Sequence, residues 1–244
     1  MFNWLRKKEN YPEINSIVVD LHSHLLPFLD DGVKTFEEAE GIILQFQKLG
    51  YKKIITTPHI MNDAFKNTPE GILKKLNELK YHLVDKGIQM EIEAAAEYYL
   101  DEYFVKAIES NQHVLTFGKK YLLFETNFIT EPLNLKEFIF LATTKGYKLV
   151  LAHPERYLYL QDNVKAQQDL LDRGVLFQIN ISSITGYYSK QVQRAANKLI
   201  DRGWVHFMGS DCHHAQHVKL VEEAKQFRHY QKALLLPLLN NSLS

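Results

Sequence analysis

Short apolar runs alternate with longer amphipathic stretches along almost the whole chain. The runs at 17–22, 52–57, 88–96, 121–126, 147–152, 175–180 and 204–209 read as strands, the first of them strongly β-branched. Between them, 36–49, 69–86, 134–145, 162–173 and 188–202 carry apolar residues at helical spacing. Thr35 with Glu37 and Glu38 behind it, and Thr68-Pro69-Glu70, read as helix starts. Gly50, Gly87, Gly146, Gly174 and Gly203 each follow a helical stretch, where a left-handed cap uses glycine. The unit helix, Gly, apolar or aromatic residue, strand recurs (Leu49-Gly50-Tyr51, Lys145-Gly146-Tyr147, Arg173-Gly174-Val175). Such βα alternation predicts parallel strands with helices outside. With seven strands and no Gly-rich phosphate fingerprint, the expected fold is an α/β, TIM-like (β/α) barrel rather than a doubly wound sheet. No linker or repeat divides the chain, so 1–244 is expected to be a single domain, with 1–15 a flexible extension.

Composition narrows the function classes. Lys+Arg and Asp+Glu are 29 each, so no global field favours nucleic acid or an anionic membrane. The lone cysteine, Cys212, excludes an intrachain disulfide and fits a reducing compartment. No apolar run reaches the roughly 20 residues that span a bilayer. Lys7 and Lys8 are followed by no apolar core, so no signal peptide is read there. Phe2 and Trp4 are taken as part of a frayed terminus rather than a membrane contact, and the expected location is cytoplasmic.

In a parallel barrel, functional groups collect at the carboxyl ends of the strands. Here those ends carry His22 and His24, which share a face of the first strand, then Asp30-Asp31-Gly32. His59 follows the second run, Glu97 the third and Glu125 closes the fourth; His153-Pro154-Glu155-Arg156 ends the fifth and Ser210-Asp211-Cys212-His213 the last. Five imidazoles (His22, His24, His59, His153, His213) and four carboxylates (Asp31, Glu97, Glu125, Asp211) on one rim would repel and desolvate at large cost without cations. Nine donors exceed what one catalytic zinc uses, so two or three divalent ions are expected. The residual positive charge favours an anionic substrate, with phosphate the obvious candidate, and Arg156 offers a planar fork for its oxygens. His82, His113, His206 and His229 read as structural or surface groups; His214 and His217 lie close enough to touch substrate.

These motifs, in this order from about Asp20 to Gln226, resemble the PHP (polymerase and histidinol phosphatase) superfamily, and more closely its metal-dependent bacterial protein-tyrosine phosphatases of capsule and exopolysaccharide regulation. The resemblance implies a distorted seven-stranded barrel, a trinuclear site usually described with manganese (iron or zinc being alternatives), and phosphotyrosine hydrolysis. It implies that His22, His24, Glu97 and Asp211 hold one ion, that His59, His153 and a bridging Glu97 hold a second, and that Asp31, Glu125 and His213 complete the third. Arg156, Asp211 and His213 are the expected catalytic residues. Many relatives carry a second phosphate-binding arginine after the SDxH motif; here His214 to Lys219 stand instead, leaving Lys219 or a histidine as substitutes.

The expected reaction is in-line attack on phosphorus by a metal-bridging hydroxide, with the ions and Arg156 stabilising the equatorial oxygens. The expected substrate is a phosphotyrosine protein, a bacterial tyrosine kinase above all. A cysteine phosphatase is excluded, because the place six residues after Cys212 is Val218, not arginine. The alternatives are a small-molecule phosphatase of the histidinol-phosphate type and a non-catalytic kinase-docking module. A PHP nuclease lacks the basic, aromatic-interleaved stripe that tracks a phosphodiester backbone.

Overall fold

Each expected strand forms, but two are interrupted. In the computed structural model, which describes residues 16–244, the strands are β1 (Val19–Asp20), β2 (Lys53–Thr56), β3 (His59–Ile60), β4 (Glu91–Ala94), β5 (Glu97–Tyr99), β6 (Tyr121–Glu125), β7 (Lys148–Ala152), β8 (Leu176–Asn180) and β9 (Phe207–Gly209). Phe2, Trp4 and the expected extension lie outside the described residues.

All pairings between these strands are parallel. One run of pairing is β1-β2-β4 and the other β3-β5-β6-β7-β8-β9. The second sequence run breaks at Thr57-Pro58, where proline has no N–H to give the ladder. Its neighbour breaks at Ala95-Ala96. Thr56 pairs with Ala94 before the breaks and His59 with Glu97 after them. Both strands therefore step over their breaks in unison, and β2/β3 and β4/β5 are each one kinked strand. Contrary to expectation, His59 and Glu97 do not follow strand ends; they open the resumed segments. A parallel bridge from Ser23 to Cys212 joins the continuations of β1 and β9, supported by Asp211 N–H to His22 O at 2.7 Å and His24 N–H to Cys212 O at 2.8 Å. The seven strands thus form a distorted ring.

Rings of Tyr121 (β6) and Phe207 (β9) meet edge-on at 5.3 Å, although β7 and β8 separate their strands around the ring. They meet across the interior, packed with Val19, Leu21, Ile55, Leu123 and Val150. A larger cluster seals the helices against the outside. The helices are α1 (Phe36–Lys48), α2 (Pro69–Asp85), α3 (Glu102–Glu109), α4 (Leu135–Thr144), α5 (Val164–Asp172), α6 (Ile181–Thr185), α7 (Lys190–Arg202), α8 (Ala215–Ala224) and α9 (Arg228–Ala233). Five of these were expected; α3, α6, α8 and α9 were not. Thr35 and Thr68 cap as expected, each hydroxyl accepting the N–H three residues on at 3.1 Å, and Gly50 takes the left-handed backbone at φ 93°. Among the described residues no helix is long and apolar enough to cross a membrane.

Candidate metal centre

The kinked strands and the ring closure bring all nine sequence-selected donors to one mouth. His22 Nε2 lies 3.1 Å from Glu97 Oε2, 3.5 Å from Asp211 Oδ1 and 3.4 Å from His24 Nε2. His24 Nε2 is in turn 3.5 Å from Glu97 Oε2 and 3.4 Å from Asp211 Oδ1. Donors bonded to one cation at about 2.1 Å stand about 3.4 Å apart in a tetrahedron, so this spacing fits an ion among them. His153 Nε2 reaches Glu97 Oε1 at 2.9 Å, while His59 Nδ1 lies 3.3 Å from Glu97 Oε2 and 3.1 Å from Glu125 Oε1. On the outer side His213 Nε2 is 3.3 Å and His59 Nε2 3.7 Å from Asp31 Oδ1.

The donors fall into four overlapping groups: His22, His24 and Asp211; His22, Glu97 and His153; His59, Glu97 and Glu125; and His24, Asp31, His59 and His213. The expected trio Asp31, Glu125, His213 is not brought together. Asp31 and His213 gather with His24 and His59, whereas Glu125 joins His59 and Glu97, because Glu125 ends β6 beside β5 and Asp31 rides the loop after β1.

The donor chemistry fits cations better than protons. Asp211 Oδ2 accepts from Asn180 Nδ2 at 2.6 Å, Asn180 Oδ1 accepts from Gln178 Nε2 at 2.9 Å, and Gln178 Oε1 then faces His22 Nδ1 at 2.7 Å. An amide oxygen only accepts, so His22 donates from Nδ1 and aims Nε2 inward, the nitrogen a cation would take in place of a proton. His24 is fixed likewise: its Nδ1 sits 2.7 Å from Asp30 Oδ2, whose partner oxygen takes the Gly32 N–H at 2.9 Å. With Nδ1 of each ring turned outward, the two Nε2 atoms stand 3.4 Å apart beside Glu97 and Asp211, where a cation would take the place of the extra proton that metal-free His22 holds. His59 Nδ1, buried within 3.3 Å of two carboxylates, makes a proper hydrogen bond to neither.

Electrostatics point the same way. Burial alone would lower His22, but Glu97 and Asp211 outweigh it and raise the imidazole to about 10. His59 also rises to about 10, its burial overcome by Glu97 and Glu125. His213 goes to about 9 against its burial, through Asp31 and Asp211. Glu97, which burial would raise, is held well below the carboxylate range by His22 and His59. Asp211 is depressed too, its burial offset by His22, His24, His213 and Arg156. The cluster draws positive charge, and a dication arriving there would displace protons.

Backbone strain marks the same place. His153 and Asp211, neither of them glycine, hold φ at 35° and 50°. Gly209 and Gly32 are required by closeness: a Cβ on Gly209 would stand 2.6 Å from His22 Cβ, and one on Gly32 2.2 Å from His24 O.

Arg156 follows β7 in a 3-10 turn (Pro154–Arg156) and donates to Asp211 Oδ2 at 3.2 Å. Its guanidinium lies between two aromatic faces, 4.6 Å from the Phe128 centroid and 4.4 Å from Tyr188, so its plane is fixed. Arg156 and seven of the donors line a cleft of about 660 Å³ with Tyr187, Tyr188 and Phe128 on its wall; His22 and His24 lie buried behind them. His214 and His217 also line it, but the exposed Lys219 does not, so Lys219 is no substitute for a second phosphate-binding arginine. His217, lowered to about 4 by burial and His214, is neutral and carries no charge for that role. Cys212 is buried and burial pushes its thiol well above the ordinary range, as suits a filler and not a nucleophile. The remaining histidines are structural: His82 pairs with Glu40 at 2.8 Å, His229 with Asp201 at 3.3 Å, and His206 Nδ1 accepts the Phe177 N–H, while exposed His113 stands 3.8 Å from Glu70. Sequence reasoning missed Gln178, Asn180 and Tyr188. The alternate polar residues of β8 were the available signal, since a doubly covered parallel strand is otherwise apolar.

Fold and donor set together define an α/β-barrel protein with a candidate polynuclear metal centre. The chain belongs to the family described as capsular polysaccharide synthesis, CpsB/CapC, which it matches over residues 18–228. It is 30% identical over 196 residues to the putative tyrosine-protein phosphatase CapC of Staphylococcus aureus, covering 80% of this chain and 77% of that protein. It is 27% identical over 199 residues to tyrosine-protein phosphatase YwqE of Bacillus subtilis, covering 82% and 78%. Among solved structures it is similar to one from a study of YwqE from Bacillus subtilis and CpsB from Streptococcus pneumoniae, described as unique metal-dependent tyrosine phosphatases, with TM-score 0.78, 26% identity and coverage of 90% and 94%. Likeness to histidinol phosphate phosphatase of Lactococcus lactis, at TM-score 0.51 and 12% identity, shows shared fold alone.

Proposed function

We propose that this protein is a single-domain, metal-dependent phosphomonoesterase that hydrolyses phosphotyrosine on proteins, acting in the cytoplasm on a tyrosine kinase of capsule or exopolysaccharide synthesis. The observation that carries the reading is the convergence of nine donors on a cleft that also presents Arg156. Family membership and the activity for which the relatives are named support the substrate class. The ligands are His22, His24, Asp31, His59, Glu97, Glu125, His153, Asp211 and His213. Glu97 belongs to two of the donor groups, which supports its being shared between ions. Two or three divalent ions fit this set, with manganese expected from the family. Bound there, they supply positive charge for the phosphoryl oxygens and lower the pKa of the attacking water.

The chain's own residues do the rest. Arg156, its plane clamped by Phe128 and Tyr188, receives two phosphoryl oxygens in a fork. Asp211 divides its work: Oδ1 faces the imidazoles, while Oδ2 takes hydrogen bonds from Arg156, Asn180 and Tyr188, which ties the anion-binding group to a ligand. Phe128 and Tyr187, 36% and 45% exposed on the rim, offer flat faces to the substrate's phenyl ring. A phenolate leaves with a pKa near 10, so little acid assistance is needed.

The test is turnover of p-nitrophenyl phosphate, a phosphotyrosine peptide and histidinol phosphate by chelator-stripped protein before and after Mn2+ is restored. Metal-dependent turnover of the first two, with histidinol phosphate poor, supports the reading; preference for histidinol phosphate overturns the substrate class.

A further inference from the structure

Beside the catalytic cleft lies a second hollow of about 290 Å³, between the loop after β3 and helix α3. The two are separated by a finger. Met61 and Phe65 exchange backbone hydrogen bonds, Met61 N–H to Phe65 O at 3.0 Å and Phe65 N–H to Met61 O at 2.8 Å, pinching 62–64 into a tight turn. The finger is pinned at both ends. Asn62 N–H donates to Asp101 Oδ2 at 3.1 Å, and Asn67 Nδ2 donates to His59 O at 2.8 Å. Phe65 lies nearly flat against the His59 imidazole, 5.3 Å between centroids and 13° between planes. One face of the finger thus supports a metal-site histidine while the other borders the second hollow.

The hollow is built to take an apolar group. Tyr98 and Phe104 stack at 4.4 Å and 8°, and line it with Val114, Ala107 and Ile60. Tyr103, 63% exposed, lines it from α3, and polar Asn62, Lys66, Asn67, Thr68, Gln112 and His113 contribute as well. Its volume suits one or two aliphatic side chains. It adjoins the cleft across the finger, since Met61, Phe65 and Asp101 line both.

We infer that this hollow is a specificity subsite for the protein substrate, receiving an apolar side chain two or three positions from the phosphotyrosine on an extended segment. The inference rests on the function proposed above. An extended chain advances about 3.3 Å per residue, so such a side chain lies about 7 to 10 Å from the phosphotyrosine, enough to straddle a two-stranded finger. A small phosphomonoester cannot reach across it. The subsite therefore separates a polypeptide substrate from a metabolite at a place that touches neither metal nor phosphate.

The test is a panel of phosphotyrosine peptides carrying Leu or Gly at positions −3, −2, +2 and +3, assayed on the Mn2+-loaded full chain beside p-nitrophenyl phosphate. At one of these positions Leu is expected to raise kcat/KM about tenfold through KM, as burial of an aliphatic side chain allows. Ala107→Arg, which fills the hollow from α3, should erase that preference and leave p-nitrophenyl phosphate turnover within twofold of the parent. Tyr103→Ala, at an exposed position, should weaken the preference in the same way. Equal turnover of Leu and Gly peptides by the unaltered protein overturns the inference, as does a preference that survives both substitutions. Should Ala107→Arg lose p-nitrophenyl phosphate turnover through misfolding, the parent panel and Tyr103→Ala decide the matter. Failure of the unaltered protein to hydrolyse p-nitrophenyl phosphate at all would instead strike the proposed function itself.

Discussion

At the closed end of the barrel, Asn240 is buried yet fully matched: Oδ1 accepts the Met208 N–H at 3.0 Å, and Nδ2 donates to Val19 O at 3.0 Å and Met208 O at 2.8 Å. Lys53 places its three protons against Leu243 O, Glu93 and Glu91, at 2.7, 2.8 and 3.0 Å. At the open mouth, buried His153 and half-buried His59 leave Nδ1 without a hydrogen bond, and His22 and His24 turn Nε2 toward each other. Asn240 and Lys53 are thus complete in themselves, whereas the histidines of the mouth are not. The difference separates polar groups that hold a fold together from polar groups that wait for something the chain does not supply.

Removing a mouth residue should cost turnover before it costs the fold. His22→Ala or Asp211→Ala is expected to lower kcat/KM by at least about a hundredfold while the circular-dichroism spectrum stays that of the parent. Gly209→Ala attacks the same site from behind: its methyl collides with His22 Cβ and lies 2.9 Å from Gln178 Nε2. Loss of about tenfold or more in metal affinity, read by titration, is the expected result. Asn240→Ala inverts the pattern. It should cost about 3 kcal/mol, since buried groups are left unmatched, and about 10 °C in Tm at this chain length, with turnover at 25 °C nearly unchanged.

The stripped protein should also show the charge of its mouth in the pH dependence of its stability. His22 and His59 at about 10, and His213 at about 9, lie above their ordinary 6.5 because carboxylates hold their protons. Stabilisation from a raised imidazole is fully present below about 6.5 and lost as pH climbs through 9 to 10. Thermal melts of metal-free protein should therefore show Tm falling across that interval, a fall that saturating Mn2+ abolishes. The smallest effect expected is that of Cys212→Ser, with turnover within about threefold of the parent, because the thiol is buried filler at a ligand-bearing turn. A thousandfold loss there would reopen a cysteine mechanism.

The strands and the donors were legible because hydrophobic runs and out-of-place polar residues are local features. Thr35, Thr68 and Gly50 announced helix boundaries for the same reason. What stayed hidden depends on facing partners far apart in sequence. Gln178 fixes His22 from 156 positions away, and Glu125 leaves Asp31 because neighbouring strands, not motif order, decide which donors meet. The matched breaks at Thr57-Pro58 and Ala95-Ala96 could be read only once β2 and β4 were known to lie side by side. Helix α8, directly after the last motif, went unrecognised because the motif's polar residues hide the buried stripe of Val218 and Val221.

Calorimetric titration of chelator-stripped protein with Mn2+ at pH 7.5, in buffers of different ionisation enthalpy and with phosphotyrosine-peptide turnover followed in parallel, bears on the mouth most directly. Two or three bound equivalents are expected, with protons released as they bind and activity rising in step with occupancy. Full turnover by protein holding less than one equivalent, or uptake without proton release, would contradict that expectation.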